Sequence, residues 1–327
     1  MGMLLNGVWT DDSDVAAVDP SGEWKRVPAA YRNWIVADRA FERHDALEAG
    51  TRDFIAEAAR YHLYAAWNCP WAHRALLARV ELGLEEVIST SFVAPKRTDQ
   101  GWVFDRDKGF IDDLFDFDAL HQVYTRGSSD YTGRVTVPLL WDRKEETAVS
   151  NESADIVRML NTGFRAFATR DIDLYPTPYR SEIDTWNELI YTTLNNGVYR
   201  AGFASTQDAY ETAVDGVFQT LDKIERHLGQ LEFLVGDRFT EADLRLFPTL
   251  VRFDVAYNHA FKCTRNRLMD MPNVWRYARK LYARPGYAQT VHFDVYRRGY
   301  NSRSEMRNPL GIIPVAPTID WSLDEIK

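Results

Sequence analysis

The sequence predicts an α/β domain followed by an all-α domain. Three observations carry this. The chain has 327 residues, about twice the roughly 150 that one domain usually takes. Between residues 61 and 160, strand-like and helix-like patterns alternate in the order strand, helix, strand, helix, strand, strand, helix, the signature of a small mixed domain. From about Ser181 the periodicity is helical alone.

Residues 1–55 are polar and irregular, with Trp9, Trp24 and Trp34 spaced through them, and read as an arm packed on the body. Residues 56–165 form the mixed domain. Its first strand is Tyr61 to Ala66, by alternation. Cys69-Pro70 follows, then a helix from Trp71 to Leu82 that Gly83 stops. Glu86 to Val93 is rich in β-branched residues and reads as the second strand. Residues 94–133 are a long polar insertion holding one helix near Ala119 to Tyr124, and insertions of that length usually serve function or act as lids. Val135 to Trp141 reads as a strand with Pro138 inside it. A charged turn over 142–147 leads to a short strand, Ala148 to Ser150, and Asn151-Glu152-Ser153 opens a helix to about Leu160. In the all-helical part, residues 175–300, the predicted helices are Ser181 to Asn195, Thr206 to Leu228, Thr240 to Phe261 and Pro272 to Ala283. Thr240 with Asp243 resembles a capping box. The Pro-rich residues 301–327 read as a second arm.

Composition narrows the function. A formal net charge of −9 and the lack of a basic stripe argue against nucleic acid as a partner. No apolar run reaches the roughly 18 residues of a membrane span, and the N-terminus lacks a signal-peptide pattern. Two widely separated cysteines, Cys69 and Cys263, make no disulfide framework and suit a reducing, cytoplasmic setting. The seven histidines form no metal-ligand spacing, and no nucleotide-binding glycine fingerprint is present.

Cys69 is the leading candidate for chemistry. It ends a strand and precedes Pro70, and proline is favoured at the first position of a helix. That places the sulfur at a helix N-terminus, where free N–H groups and the helix dipole favour an anion and hence a nucleophilic thiolate. Ala72 stands where a second cysteine could close a disulfide, so the site would form a mixed disulfide with a small thiol. Against this stands the plainer reading of a small buried helix cap. Pro138 reads either as an edge-strand proline or as a cis proline whose preceding residue, Val137, turns its peptide groups toward an extended ligand. Glu152 and Ser153 at a helix start suit the carboxylate and amino group of an amino-acid-like zwitterion, or reflect ordinary capping by Asn151 or Ser153. His73 and Arg74 follow Cys69, and His73 reads as solvated or structural. Cys263 carries no assigned role, while His121, Tyr257 and His259 are candidate pocket residues.

Taken together, Asn68-Cys69-Pro70-Trp71-Ala72-His73-Arg74, Arg134 to Asp142 and Ser150 to Ala154 resemble the xi-class glutathione transferases, whose members are glutathionyl-hydroquinone reductases. The similarity extends to Gly101-Trp102-Val103-Phe104, Tyr199 to Ala204, Thr240 to Leu246 and Gly311-Ile312-Ile313-Pro314. The resemblance implies a thioredoxin-like domain with a C-terminal helical bundle, glutathione as co-substrate and a homodimer. It implies that Cys69 attacks the glutathione sulfur of a glutathionyl-hydroquinone, that hydroquinone leaves, and that a second glutathione releases oxidised glutathione. Carried over by position, Val137 with Pro138 would hold the cysteinyl backbone, Glu152 and Ser153 the γ-glutamyl end, and Trp102 and Arg134 would add contacts. Tyr199, then Tyr300, then Tyr296 would serve the aromatic substrate. The stretch from Val295 to Asn301 departs from the family's usual wording there, which bears on substrate preference. Two other readings remain open: an omega-like glutathione thioltransferase or dehydroascorbate reductase using the same cysteine, and a non-catalytic transferase-like binding module.

Overall fold

The structure, a computed structural model, describes residues 2–11, 18–38, 51–315 and 317–323. Residues 12–17 and 39–50 of the predicted N-terminal arm, and 316 and 324–327 of the C-terminal one, lie outside the described residues. The chain divides into two compact units, one of Met1–Ala16 with Pro28–Asp173, the other of Ala17–Val27 with Leu174–Lys327.

The first unit is built on β5 (Tyr61–Ala65), a strand buried along its whole length. β5 pairs in parallel with β6 (Ser89–Phe92) across the crossover helix α1 (Pro70–Glu81). On its other side it pairs antiparallel with β8 (Leu139–Asp142), which pairs antiparallel with β9 (Thr147–Ser150). The resulting order, β6-β5-β8-β9, with α3 (Ser153–Thr162) leaving β9, is the thioredoxin-like arrangement. The predicted strand from Val135 begins only at Leu139, because Pro138 has no N–H to give to a ladder. Asp142 is fully buried and is held by the Arg60 guanidinium at 2.5 Å, so that charge sits at the end of an inner strand with its partner.

The region read as an arm contains short strands. β1 (Met3–Leu5) and β2 (Val8–Thr10) form a hairpin around Asn6-Gly7, both at positive φ (48° and 76°), which a two-residue primed turn requires. β7 (Gly133–Arg134) extends this sheet by pairing with β1. β3 (Trp34–Val36) and β4 (Asp53–Ile55) pair in parallel. The insertion is anchored on the body: Asp112 is buried and accepts hydrogen bonds from the Tyr64 hydroxyl (2.9 Å) and the Leu114 N–H (3.1 Å). Its helix α2 spans Leu120–Gly127 and buries Leu120, Val123 and Tyr124.

The second unit comprises α4 (Arg180–Ile190), α5 (Gly197–Phe203), α6 (Gln207–Leu228), α7 (Glu241–Arg252), α8 (Asn258–Ala260), α9 (Pro272–Tyr282) and α10 (Phe293–Tyr300). The helix predicted from Ser181 to Asn195 ends in a π-helical segment, Tyr191–Asn195, and the one predicted from Thr240 to Phe261 is interrupted by another, Phe253–Tyr257. Pro248 inside α7 removes one helical N–H shortly before that change of pitch. At the start of α7, Thr240 Oγ1 accepts the Ala242 N–H and Asp243 Oδ2 accepts the Thr240 N–H at 2.9 Å, a capping box with Asp in the Glu position. Residues 18–27 lie along this unit as a strap. Ser205 N–H donates to Gly22 O (3.1 Å), Arg26 Nε to Asn196 Oδ1 (2.6 Å), and Trp24 stacks on Tyr199 and Phe203.

His62, the second residue of β5, gives the fold a pH signature. It is fully buried, 2.7 Å from Ser89 Oγ, and burial, aided by Arg143 and Arg79, pushes its imidazole down to about 3. Below the unfolded value of 6.5 the unfolded chain takes up a proton that the folded chain refuses. Stability from this group is therefore complete above that value and falls as the pH drops toward about 3. Urea titrations between about pH 7 and pH 4 are expected to show His62→Asn losing less stability than the parent, by up to roughly 1.4 kcal/mol per pH unit. Parallel losses would remove His62 from the account.

Candidate active site

Cys69 is the N-cap residue of α1, with extended backbone (φ −81°, ψ 118°) and Pro70 in the first turn. The local sequence dictates this. Pro70 cannot donate a backbone hydrogen bond and its fixed φ suits a helix start, so the chain turns from strand to helix at the residue before it. The sulfur accepts the Ala72 N–H at 3.5 Å and lies 3.4 Å from the Val137 carbonyl oxygen. It is half-buried, whereas Cys263 is fully buried with its thiol on Phe261 O, two residues away. Burial raises the Cys263 thiol to about 12.

The Val137-Pro138 bond is cis. Among the described residues the Val137 N–H has no acceptor. The segment ahead of it is gripped by tyrosines that the sequence did not single out. The Tyr124 hydroxyl donates to Thr136 O (2.9 Å) and accepts the Thr136 N–H (3.2 Å). The Tyr131 hydroxyl donates to Arg134 O at 3.1 Å. Tyr31 stacks on Tyr131, with centroids 5.3 Å apart. Asn151 completes the frame, donating to Thr136 Oγ1 (3.0 Å) and accepting the Tyr31 N–H (3.0 Å). Asn151 is thereby committed, and the cap of α3 is Glu152, whose Oε1 accepts the Ala154 N–H at 3.0 Å. Ser153 is buried and its hydroxyl lies 3.4 Å from the same oxygen.

Trp102 is buried in the insertion, with the Arg97 guanidinium 4.1 Å over its ring. Its indole N–H has no acceptor among the described residues, a donor left available for a ligand carbonyl or carboxylate. Arg134 is the last residue of β7 and pairs with Met3. His73 is buried within α1, and His121 stacks on Trp9.

Within the helical unit the tyrosines form a cluster of their own. The Tyr199 and Tyr300 hydroxyls share a 2.6 Å hydrogen bond, and Tyr257 Oη is 3.3 Å from Tyr300 Oη. Burial, reinforced by the neighbouring phenols, holds Tyr257 and Tyr300 well above the ordinary phenol range, so both are neutral donors at physiological pH. Phe203 and Phe261 wall the cluster. Tyr296 stays apart from it. Tyr296 is fully buried, its hydroxyl donates to Thr290 O (3.2 Å) and Arg252 lies 3.8 Å over its ring. His259 is engaged with Asn301 Oδ1 at 3.0 Å.

Comparison with known proteins agrees on one family. Residues 68–162 match the glutathione S-transferase N-terminal domain and residues 207–280 the C-terminal domain. The chain is 46% identical over 327 residues to the glutathionyl-hydroquinone reductase YqjG of Escherichia coli, covering 99% of this chain and 97% of that one. The glutathione-bound structure of YqjG superposes with a TM-score of 0.88 at 44% identity, covering 98% and 97% of the two chains. A xi-class transferase from Natrialba magadii gives a TM-score of 0.88 at 39% identity over 100% and 96%.

The contrast between the two thiols is directly measurable. Brief iodoacetamide treatment of the folded protein is expected to attach one label, at Cys69, with Cys263 reacting only after unfolding. Peptide mapping that finds label on Cys263 under native conditions would contradict the burial described above.

Proposed function

The chain belongs to the glutathione S-transferase family, and we propose that within it the protein is a glutathionyl-hydroquinone reductase whose nucleophile is Cys69. The observation that carries this reading is the placing of that sulfur. It caps α1, accepts a backbone N–H and faces the carbonyl of Val137 beside Pro138. A helix N-terminus supports negative charge on sulfur without a separate base. The Val137 peptide suits the extended backbone of the cysteinyl residue of glutathione. Glu152 and Ser153 at the start of α3 suit its γ-glutamyl end, and Trp102 and Arg134 add donors.

The chemistry balances as follows. The Cys69 thiolate attacks the glutathione sulfur of the substrate. An S–S bond forms and the carbon–sulfur bond to the ring breaks. Its electron pair goes to the ring, which takes up one proton and leaves as hydroquinone. The ring carbon is reduced, and the two sulfurs are oxidised to a mixed disulfide. A second glutathione thiolate attacks that disulfide, freeing Cys69 and releasing oxidised glutathione. With the ring in its keto tautomer, a hydrogen already on the sulfur-bearing carbon, the pair released on bond breaking becomes an enolate whose charge rests on a ring oxygen, and the hydroxyls of Tyr199 and Tyr300 are the donors assigned to it. A reducing cytoplasmic setting and a homodimer belong to the same reading.

Turnover of a glutathionyl-hydroquinone with glutathione, followed as hydroquinone and oxidised glutathione released, is expected to drop by roughly 10^3-fold or more in Cys69→Ser. A parent protein inactive on this substrate while reducing dehydroascorbate would favour the omega-like thioltransferase instead. Tyr199→Phe and Tyr300→Phe are each expected to lower kcat about 10^2-fold. Because the two hydroxyls share one short hydrogen bond, the double variant should be little worse than either single one. Multiplicative losses would mean that the phenols act independently.

A further inference from the structure

Arg307 has no place in the chemistry above, yet it is held against the tyrosine cluster. The chain turns back on itself between Ser304 and Asn308, whose backbones exchange two hydrogen bonds (3.1 and 2.9 Å). The Asn308 side chain fastens the turn by donating to Asn301 O (2.6 Å) and Ile312 O (3.0 Å). This sets the Arg307 guanidinium 4.7 Å over the ring of Phe203 and 5.5 Å from that of Phe261. Those are the rings that wall Tyr199 and Tyr300. Among the described residues Arg307 has no hydrogen-bond or ion-pair partner. Nearby arginines differ: Arg297 and Arg298 are both paired with Asp294, and Arg265 with Asp222. Burial depresses the Arg307 guanidinium, against the opposing pull of the Tyr199 and Tyr300 phenols.

A half-buried, unpaired guanidinium on an apolar wall is a receptor for an anion, and its planar fork matches a carboxylate in two-point fashion. We propose that Arg307 is a specificity residue that selects hydroquinones carrying a carboxylate on the ring. This rests on the reading that the Tyr199–Tyr257–Tyr300 cluster receives the hydroquinone ring. The phenols would then recognise the ring hydroxyls and Arg307 the acidic substituent.

The test is calorimetric titration of the full chain with 2,5-dihydroxybenzoate and with its neutral amide. The parent is expected to bind the acid at least about tenfold more tightly than the amide. Arg307→Met, which keeps the stem against the two Phe rings, should bring the two affinities within about twofold. Arg307→Lys should retain part of the preference, and Arg303→Gln in the same arm all of it. Equal affinities in the parent, binding of neither compound, or a preference that survives in Arg307→Met would overturn the proposal. The corresponding glutathionyl conjugates, assayed in parallel, separate the two questions. Absence of turnover with the acid preference intact would refute the reductase reading and leave the Arg307 site standing.

Discussion

One hydroxyl group organises the N-terminal unit. Tyr124 is fully buried, and its oxygen is engaged by both the N–H and the C=O of Thr136 and by the Asn151 side chain. It thereby ties together α2 from the insertion, the approach to Pro138 and the turn that opens α3. The insertion of residues 94–133 therefore supplies the internal scaffold of the site. Without that hydroxyl the Thr136 peptide would need other partners in a buried setting, where an unsatisfied group costs about 1–3 kcal/mol. The position of the Val137 carbonyl relative to the Cys69 sulfur follows from this fixing, since Val137 is the next residue along the chain.

The helical unit is organised by aromatic stacking. Trp24, Tyr199, Phe203, Tyr257, Phe261 and Tyr300 form a continuous set of ring contacts. Both π-helical segments feed this cluster. One runs up to the helix that carries Tyr199, and the other ends at Tyr257. A wider helical turn shifts the facing of every residue after it, and such segments recur at functional sites. Two guanidiniums flank the rings, Arg26 over Trp24 and Arg307 over Phe203, giving an apolar, electron-rich patch a positive rim.

What could be read from the sequence was what local chemistry dictates. Cys69 before Pro70 forces a helix start, and the observed cap is at that residue. Thr240 and Asp243 state their own capping box. The Asn6-Gly7 hairpin is equally local, but its strands are three residues each, too short for their alternation to stand out in a polar stretch. Features needing a third dimension stayed hidden. Tyr31, Tyr124 and Tyr131 are scattered in sequence and look like core filler until Thr136 and Arg134 come to lie under the hydroxyls of Tyr124 and Tyr131, with Tyr31 stacked on Tyr131. Periodicity spans a π-helical segment without registering it, so the sequence reads as unbroken helices where the pitch changes. Tyr296 and Tyr300 share a helix and a residue type, and only their surroundings separate a phenol buried against Arg252 from one in the cluster.

The strap of residues 18–27 makes the chain's connectivity interleaved. In sequence, the bulk of the first unit is inserted into the second, between the strap and Leu174. Arg26 meets Asn196 across 170 residues. During synthesis the strap emerges early and must wait until the chain has passed Asn196, the whole bulk of the first unit included, before it finds its partners, so the two units cannot mature as successive, independent beads. No single cleavage in the chain separates them into complete halves, and any fragment meant to represent the helical half must carry a piece of the opposite end of the polypeptide with it.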